Sequence, residues 1–304
     1  MPRATALFGW SLLPALVLGV YAVSGPAAAF ISEFGIEGMG VVSTRASELR
    51  GSVSPDGQRI VWGSTDREGG AGGWDLWQAT LKDGRWQDAR ALPINTKSND
   101  FDPLFSADGR WLYFFSNRPG GVGGDDLYRA QVLPGAGFRK ADNLGPGVNS
   151  RGDEWAPTPS RDGAQLLFAS DGFGGPGRHD LFVAHWDGHA FVDPKPLPGV
   201  NTKDDEFDAA WLGDGKAVVF TRSKDVETQP VRLYIAQCDG REYAAIAPLA
   251  LSFNTDDAFT FGPALDWNKP GEMLVTGTAK APRAGKLDIY RMKAPAASGK
   301  SGCI

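Results

Sequence analysis

The side chains that could do chemistry here are acids, and they recur. Glu48, then Asp100 and Asp102, Asp153 and Glu154, Asp204 to Glu206 with Asp208, and Asp256 with Asp257 each follow a short polar turn and precede an apolar run. Carboxylates brought to one place repel one another unless a cation or hydrogen-bond donors compensate. Two roles follow. The acids gather a cation (Ca2+ is the ion that oxygen donors suit) or a cationic peptide. Otherwise each acid caps its own structural unit by accepting bonds from backbone amides, a role that repetition in every unit favours. Glu48, Asp100, Asp102, Glu154, Glu206, Asp208 and Asp257 are the ligand-facing candidates. Glycoside hydrolysis needs two carboxyls about 5 to 9.5 Å apart. No pair here stands out from the repetition, so no catalytic residue is assigned and the reading leans away from an enzyme. His185 and His189 flank the turn Trp186-Asp187-Gly188 and read as exposed turn residues. No serine lies in a Gly-x-Ser-x-Gly setting. No metal ligand set is assigned and no cofactor is required.

The elements that must position these acids repeat as well. Asp-Gly pairs stand at Asp56, Asp108, Asp162 and Asp214, with Asn268 in the fifth place, at spacings of 52, 54, 52 and 54 residues. An Asp-Leu-aromatic motif stands at Asp75, Asp126 and Asp180, recurs as Asp288-Ile289-Tyr290, and survives in weakened form as Arg232-Leu233-Tyr234. Five copies of about fifty residues, each with four short strand signals, predict an all-β, five-bladed β-propeller of four-stranded antiparallel blades. A six-bladed ring is the alternative, but no sequence is left to build the sixth blade. Ser43-Thr44 aligns with Asn95-Thr96 and Asn149-Ser150, whereas the fifth copy stops after Met292. The segment near Phe34 to Val42 is therefore predicted to complete the last blade as its outermost strand and leave no open edge.

Strands alternate in direction within a blade. The loop leading into the first strand and the loop between the second and third therefore share one face. That face combines an acidic centre with glycine-rich loops, Glu68 to Gly73, Pro119 to Gly124 and Gly172 to Gly177, and a rim carrying Arg67, Arg118, Arg178 and His179. No helix follows the glycine loops, so they read as long hairpin loops and not as phosphate cradles.

The string Ser-x-Asp-Gly-x-x-(Leu/Ile)-x-Phe-x-Ser followed by Asp-Leu-aromatic resembles the WD40-like propeller repeats of the TolB family. Ser106 to Ser116 with Asp126-Leu127-Tyr128, and Ser160 to Ser170 with Asp180-Leu181-Phe182, carry the likeness, which extends from about Glu48 to Met292. The resemblance implies a propeller fold and a bacterial envelope setting. It names no ligand, because the same repeat serves scaffolds, peptidases and lyases. TolB's own N-terminal α/β domain has no counterpart in the repeats.

The rest of the chain agrees with export. Residues 1–29 carry one charge, Arg3, then an apolar run from Ala4 to Val23 and a small-residue junction ending Ala27-Ala28-Ala29, which reads as a secretory signal peptide. With it removed, no membrane span is expected, and residues 30–292 form the propeller. The formal net charge of −5 argues against general nucleic-acid binding. The 40 Gly and 21 Pro would suggest disorder if aromatics were scarce, but 10 Trp, 6 Tyr and 17 Phe sit in alternating runs, so Gly and Pro mark turns. The tail 293–304, rich in Ala, Ser, Gly and Lys, is expected to be disordered. It carries Cys303, whose pairing with Cys238 an oxidising compartment would permit. The expectation is a periplasmic or secreted monomer that binds an envelope protein or peptide; a carbohydrate-active hydrolase or lyase is the alternative.

Overall fold

The computed structural model describes residues 33–304, and five four-stranded units make up nearly all of them. The expected leader, 1–29, lies outside the described residues. Blade 1 runs from the axis outward through Ser47–Val53, Arg59–Thr65, Asp75–Lys82 and Arg85–Ala91. Blade 2 uses Asp100–Phe105, Trp111–Ser116 and Asp126–Leu133, with its outer edge split into Gly137–Phe138 and Asp142–Asn143. Blade 3 is Glu154–Pro159, Gln165–Ser170, Asp180–Trp186 and Phe191–Pro196; blade 4 is Asp205–Leu212, Ala217–Ser223, Arg232–Cys238 and Tyr243–Pro248. Blade 5 takes Phe261–Leu265, Glu272–Gly277 and Asp288–Lys293 from one end of the chain and Glu33–Ile36 from the other. Glu33–Ile36 pairs antiparallel with Asp288–Lys293, so the ring closes as the sequence predicts.

The repeated residues explain the repeated shape. Each second strand is apolar and buried on both faces, as in Trp111–Ser116, because it is sandwiched between neighbouring blades. The Ser-x-Asp-Gly turn ties itself shut. Ser106 Oγ donates to Asp108 Oδ1 at 2.6 Å, the Arg110 amide donates to the same oxygen at 3.0 Å, and Gly109 takes φ 70°. The motif aspartate fastens the glycine loop above it. Asp126 accepts from the Val122 and Gly123 amides, and a Cβ on Gly121 would lie 1.8 Å from its carboxylate, so only glycine fits. Asp75, Asp180 and Asp288 hold their own loops in the same way. The loops thus form nests for carboxylates that the chain itself provides.

Between blades, one asparagine per junction bridges the backbone of the preceding third strand. Asn95, Asn149, Asn201 and Asn254 both accept from the amide and donate to the carbonyl of Leu76, Leu127, Leu181 and Leu233. At the closing junction Ser43 takes this place against Ile289. Next to it Arg291 joins Glu37, Asp266 and Glu272 in one network, which ties the closing segment to the last blade.

The tail is a correction. Residues 294–304 lie against blade 4 and are bonded to it. Gln237 accepts from the Ser298 and Gly299 amides, the Lys300 amide donates to the Cys238 carbonyl at 2.8 Å, and Cys303 is buried in a disulfide with Cys238. Low-complexity composition misleads here because backbone bonds, one disulfide and a few packed side chains (Cys303, Ala294 and Ala297) hold the segment. Among the described residues no helix is long and apolar enough to cross a membrane.

Cross-linking residues 65 apart should contribute about 2–4 kcal/mol. The Cys238→Ser/Cys303→Ser variant is therefore expected to unfold at lower denaturant than the oxidised protein. Dithiothreitol should lower the wild-type midpoint to the same place and leave the variant unmoved.

Candidate functional site

The acids singled out in the sequence fall into three groups. Glu48, Asp100, Glu154 and Glu206 occupy one position in blades 1 to 4, and none has exposed surface. Each turns back onto the residue four before it. Glu154 accepts from the Ser150 amide at 2.8 Å and the Ser150 hydroxyl at 2.6 Å, and also from Ser170 Oγ at 2.7 Å. Glu48 and Glu206 do the same with Thr44 and Thr202, and Asp100 with Thr96. Burial raises Glu48, Glu154 and Glu206 above the usual carboxylate range, opposed by these bonds. Four carboxylates expected around a channel mouth are thus buried caps inside the blades. Blade 5 has Thr260 in this place, bonded to the Phe253 carbonyl. Asp257 is exposed on the loop before it and accepts a bond from the Thr255 hydroxyl.

Asp102 and Asp208 belong to the axis itself. Every first strand carries a bulge two residues past the cap, where the backbone turns left-handed: Arg50 at φ 41°, Asp102 at 47°, Ala156 at 54°, Asp208 at 43° and Gly262 at 59°. Three of the five are charged, and they meet. The Asp102 and Asp208 carboxyls hydrogen-bond each other, Arg50 Nη1 lies 4.0 Å from Asp102 Oδ2, and the Gly262 amide donates to Asp208 Oδ2 at 3.1 Å. Arg50 is fully buried and donates from Nη2 to Thr158 Oγ1 at 2.5 Å. Burial, then the Asp208 charge, pushes Asp102 far above the ordinary range; burial also raises Asp208, against the Arg50 charge. One proton shared by the two carboxyls and one guanidinium beside them would give a cluster of zero net charge, and the stronger rise at Asp102 makes it the expected holder of that proton.

The acids with unused oxygens lie at the face, one residue outside the caps. Asp153 Oδ1 accepts from the Asp125 amide at 2.8 Å, and Asp171 Oδ1 accepts from the Asp153 amide at 2.7 Å. His179 lies within reach of both carboxylates, and it is fully buried with its ring stacked 3.8 Å from that of Trp155. Burial lowers the His179 imidazole below its ordinary value, against the charges of Asp171 and Asp205. Burial pushes Asp125 up to about 6, against a 2.9 Å bond from Trp155 Nε1, and the Asp153 charge adds to the rise. The sequence alone puts His179 on this rim without showing partners for it. The signal was present: blade 2 carries Asn99 and Asn117 where blade 3 carries Asp153 and Asp171.

The rim arginines serve the blades first. Arg67 covers the rings of Trp62 and Trp77 and donates to the Val41 carbonyl at 2.7 Å. Arg118 bonds Asp100 at 2.5 Å over Phe114 and Tyr128, and Arg222, which lies outside the glycine-loop rim that the sequence outlines, repeats that arrangement with Glu206. Arg178 is half exposed and pairs with Glu227 at 2.7 Å. On the opposite face, a cleft of about 600 Å3 opens beside Trp211, Trp267, Arg161 and the tail residue Ile304, away from all of these acids.

No protein-family model matches the sequence, and no curated protein matches it either. Solved structures do resemble it. A putative TolB from Agrobacterium tumefaciens is 15% identical with a TM-score of 0.52, over 90% of this chain and 87% of that one. A thermostable family-43 glycoside hydrolase is 12% identical with a TM-score of 0.56, over 88% of this chain and 99% of that one. TolB from Acinetobacter baumannii is 13% identical with a TM-score of 0.48; 82% of this chain matches, and it spans 55% of that protein's length. At these identities the likeness is one of fold alone: the chain is a five-bladed β-propeller, a fold it shares with the putative TolB and with the glycoside hydrolase.

The axial cluster predicts an asymmetry between two isosteric changes. Asp102→Asn copies the protonated partner, whereas Asp208→Asn removes the charge that balances Arg50, and asparagine tolerates the left-handed backbone at both. The Asp208 change is expected to cost about 3–5 kcal/mol. A carboxyl raised in the folded state stabilises fully below its unfolded pKa, and that contribution is lost as pH rises toward the folded pKa. Asp102→Asn is free of this loss, so it should gain on the wild type by up to about 1.4 kcal/mol per pH unit above pH 4. Guanidinium unfolding at pH 4, 6 and 8 measures both. Equal losses in the two variants would show that the proton is not held at Asp102.

Proposed function

We propose that this chain is an exported, non-catalytic β-propeller of the bacterial cell envelope that binds a protein or peptide on the face bearing the glycine loops. The observation that carries this reading is how those loops are built. Their roots are fixed by the motif aspartates, while their tips stand clear of the blades. Two of the few large apolar side chains left exposed, Val122 on the blade 2 loop and Phe259 before blade 5, stand on this face, with Asp257 beside the latter. Loops on a rigid scaffold are where binding usually sits. Apolar points among acids suit a partner segment with apolar and basic residues.

Export is supported by the signal-peptide pattern of residues 1–29 and by a disulfide, which persists in oxidising compartments. Hydrolysis through axial carboxylates is disfavoured by their geometry. Asp102 and Asp208 are in hydrogen-bond contact, well inside the separation of about 5 to 9.5 Å that flanks a glycosidic bond, and Arg50 compensates them.

Capture from an envelope extract tests the reading. Val122→Asp and Phe259→Asp are exposed changes expected to leave the melting temperature in place and to weaken capture of a specific protein about tenfold or more. Unchanged capture by both would remove this face from the binding surface. Turnover of a polysaccharide or ester by the wild type would overturn the non-catalytic assignment.

A further inference from the structure

Blades 2 and 3 share one hydrogen-bond motif made with different chemistry. In blade 2, Asn99 Oδ1 accepts from the Trp74 amide at 3.1 Å, and Asn117 Oδ1 accepts from the Asn99 amide at 2.9 Å. In blade 3 the same two bonds end on Asp153 Oδ1 and Asp171 Oδ1, at 2.8 and 2.7 Å. An uncharged amide oxygen meets this structural need. The blade 3 carboxylates therefore add two negative charges that the fold does not require. Among the described residues, neither Oδ2 receives a hydrogen bond. The cradle is tight: a Cβ on Gly124 would lie 2.1 Å from Asp153 Oδ1, and one on Gly152 would lie 2.0 Å from Asp171 Oδ1.

A second observation points into the same spot. His179 is 0% exposed, and neither ring nitrogen has a hydrogen-bond partner among the described residues. A buried imidazole without partners is costly unless something at the site takes its lone pair. Asp205 does not fill that role. Its Oδ1 stands 3.8 Å from Nδ1 and already accepts from the His179 amide at 3.1 Å. A ring nitrogen of His179 and one oxygen from each of Asp153 and Asp171 lie within 4.8 Å of one another. Stacking on Trp155, with the rings 19° apart, fixes the plane of the imidazole.

We propose that Asp153, Asp171 and His179 bind a divalent transition-metal ion of the Zn2+/Mn2+ class. One imidazole and two carboxylates suit these ions, whereas calcium sites are built from oxygens alone. Tetrahedral bonds of about 2.0–2.2 Å place ligand atoms about 3.3–3.6 Å apart, so rotations of the two half-buried carboxylates toward the imidazole complete the set. The ion joins the glycine loop of blade 3, which carries His179, to the junction with blade 2. It neutralises charge that the fold leaves unbalanced there. The inference does not depend on what the face binds.

The mature chain, stripped with EDTA, is titrated calorimetrically and melted with Zn2+, Mn2+ or Ca2+ alone. One equivalent of Zn2+ or Mn2+ should bind and raise the melting temperature, with Ca2+ weaker by at least about tenfold. Asp153→Asn/Asp171→Asn reproduces the blade 2 pair, so it should keep the metal-free melting temperature and lose at least about 100-fold in affinity; His179→Gln should lose binding as well. No binding to the wild type below about 1 mM would overturn the proposal. So would binding that survives either variant, or Ca2+ binding as tightly as the transition ions.

Discussion

A propeller's innermost strands have one edge with no neighbouring strand, and the ring depends on how the backbone beside that edge is satisfied. Here the answer is one bond repeated five times. The amides of Glu48, Asp100, Glu154, Glu206 and Thr260 donate to the carbonyls of Leu287, Trp74, Asp125, His179 and Val231, at 2.8 to 3.0 Å. Each acceptor directly precedes the third strand of the previous blade, so the bond crosses every seam, including the one that closes the ring. An unpaired buried amide costs more than a typical hydrogen bond gains. The seam therefore fixes the neighbours of each blade more firmly than apolar packing alone, which tolerates sliding. The buried carboxylate on the donor residue in blades 1 to 4 then locks the turn that leads up to it.

The same bond decides which side chains reach the working face. Residues on either side of the seam are held by their backbones and cannot turn away. Where they are Trp74 and Asn99, the seam is neutral. Where they are Asp125, Asp153, Asp171, His179 and Asp205, two consecutive seams share one patch of charge. At the axis the bulges have a related effect. Holding a residue other than glycine at positive φ costs on the order of 1–2 kcal/mol. Four blades accept that cost, and the side chains turned inward close the centre with Arg50, Asp102 and Asp208. This centre is a neutralised plug whose acids face each other, an arrangement poorly suited to flanking a substrate.

Blade number, strand order and ring closure were legible because they rest on period and on turn chemistry, both of which are local. Asp56, Asp108 and Asp162 form the turns that their spacing implied, and Asp126 holds its loop amides. The roles of the acids were not legible in the same way. Glu154 and Asp153 are adjacent, yet one is a sealed cap and the other keeps a free oxygen at the surface, a difference set by the pleat and by Ser150 and Ser170. Arg50 was invisible as an axial residue because no residue of its type occupies that place in any other blade. The tail misled because its composition is that of a linker, while Gln237 and Cys238 supply the partners that hold it.

A repeat protein carries its own controls, and they separate scaffold from function more sharply than burial does. An acid found at one place in four blades, as at Glu48, Asp100, Glu154 and Glu206, is explained by a need that every blade has. An acid that stands where another blade manages with an uncharged amide, while keeping the bond that the amide made, is not. Asp153 and Asp171 meet the second description, and the unpartnered ring of His179 lies beside them. The fold makes no structural demand for charge at that seam, so the charge points to something the blade holds there.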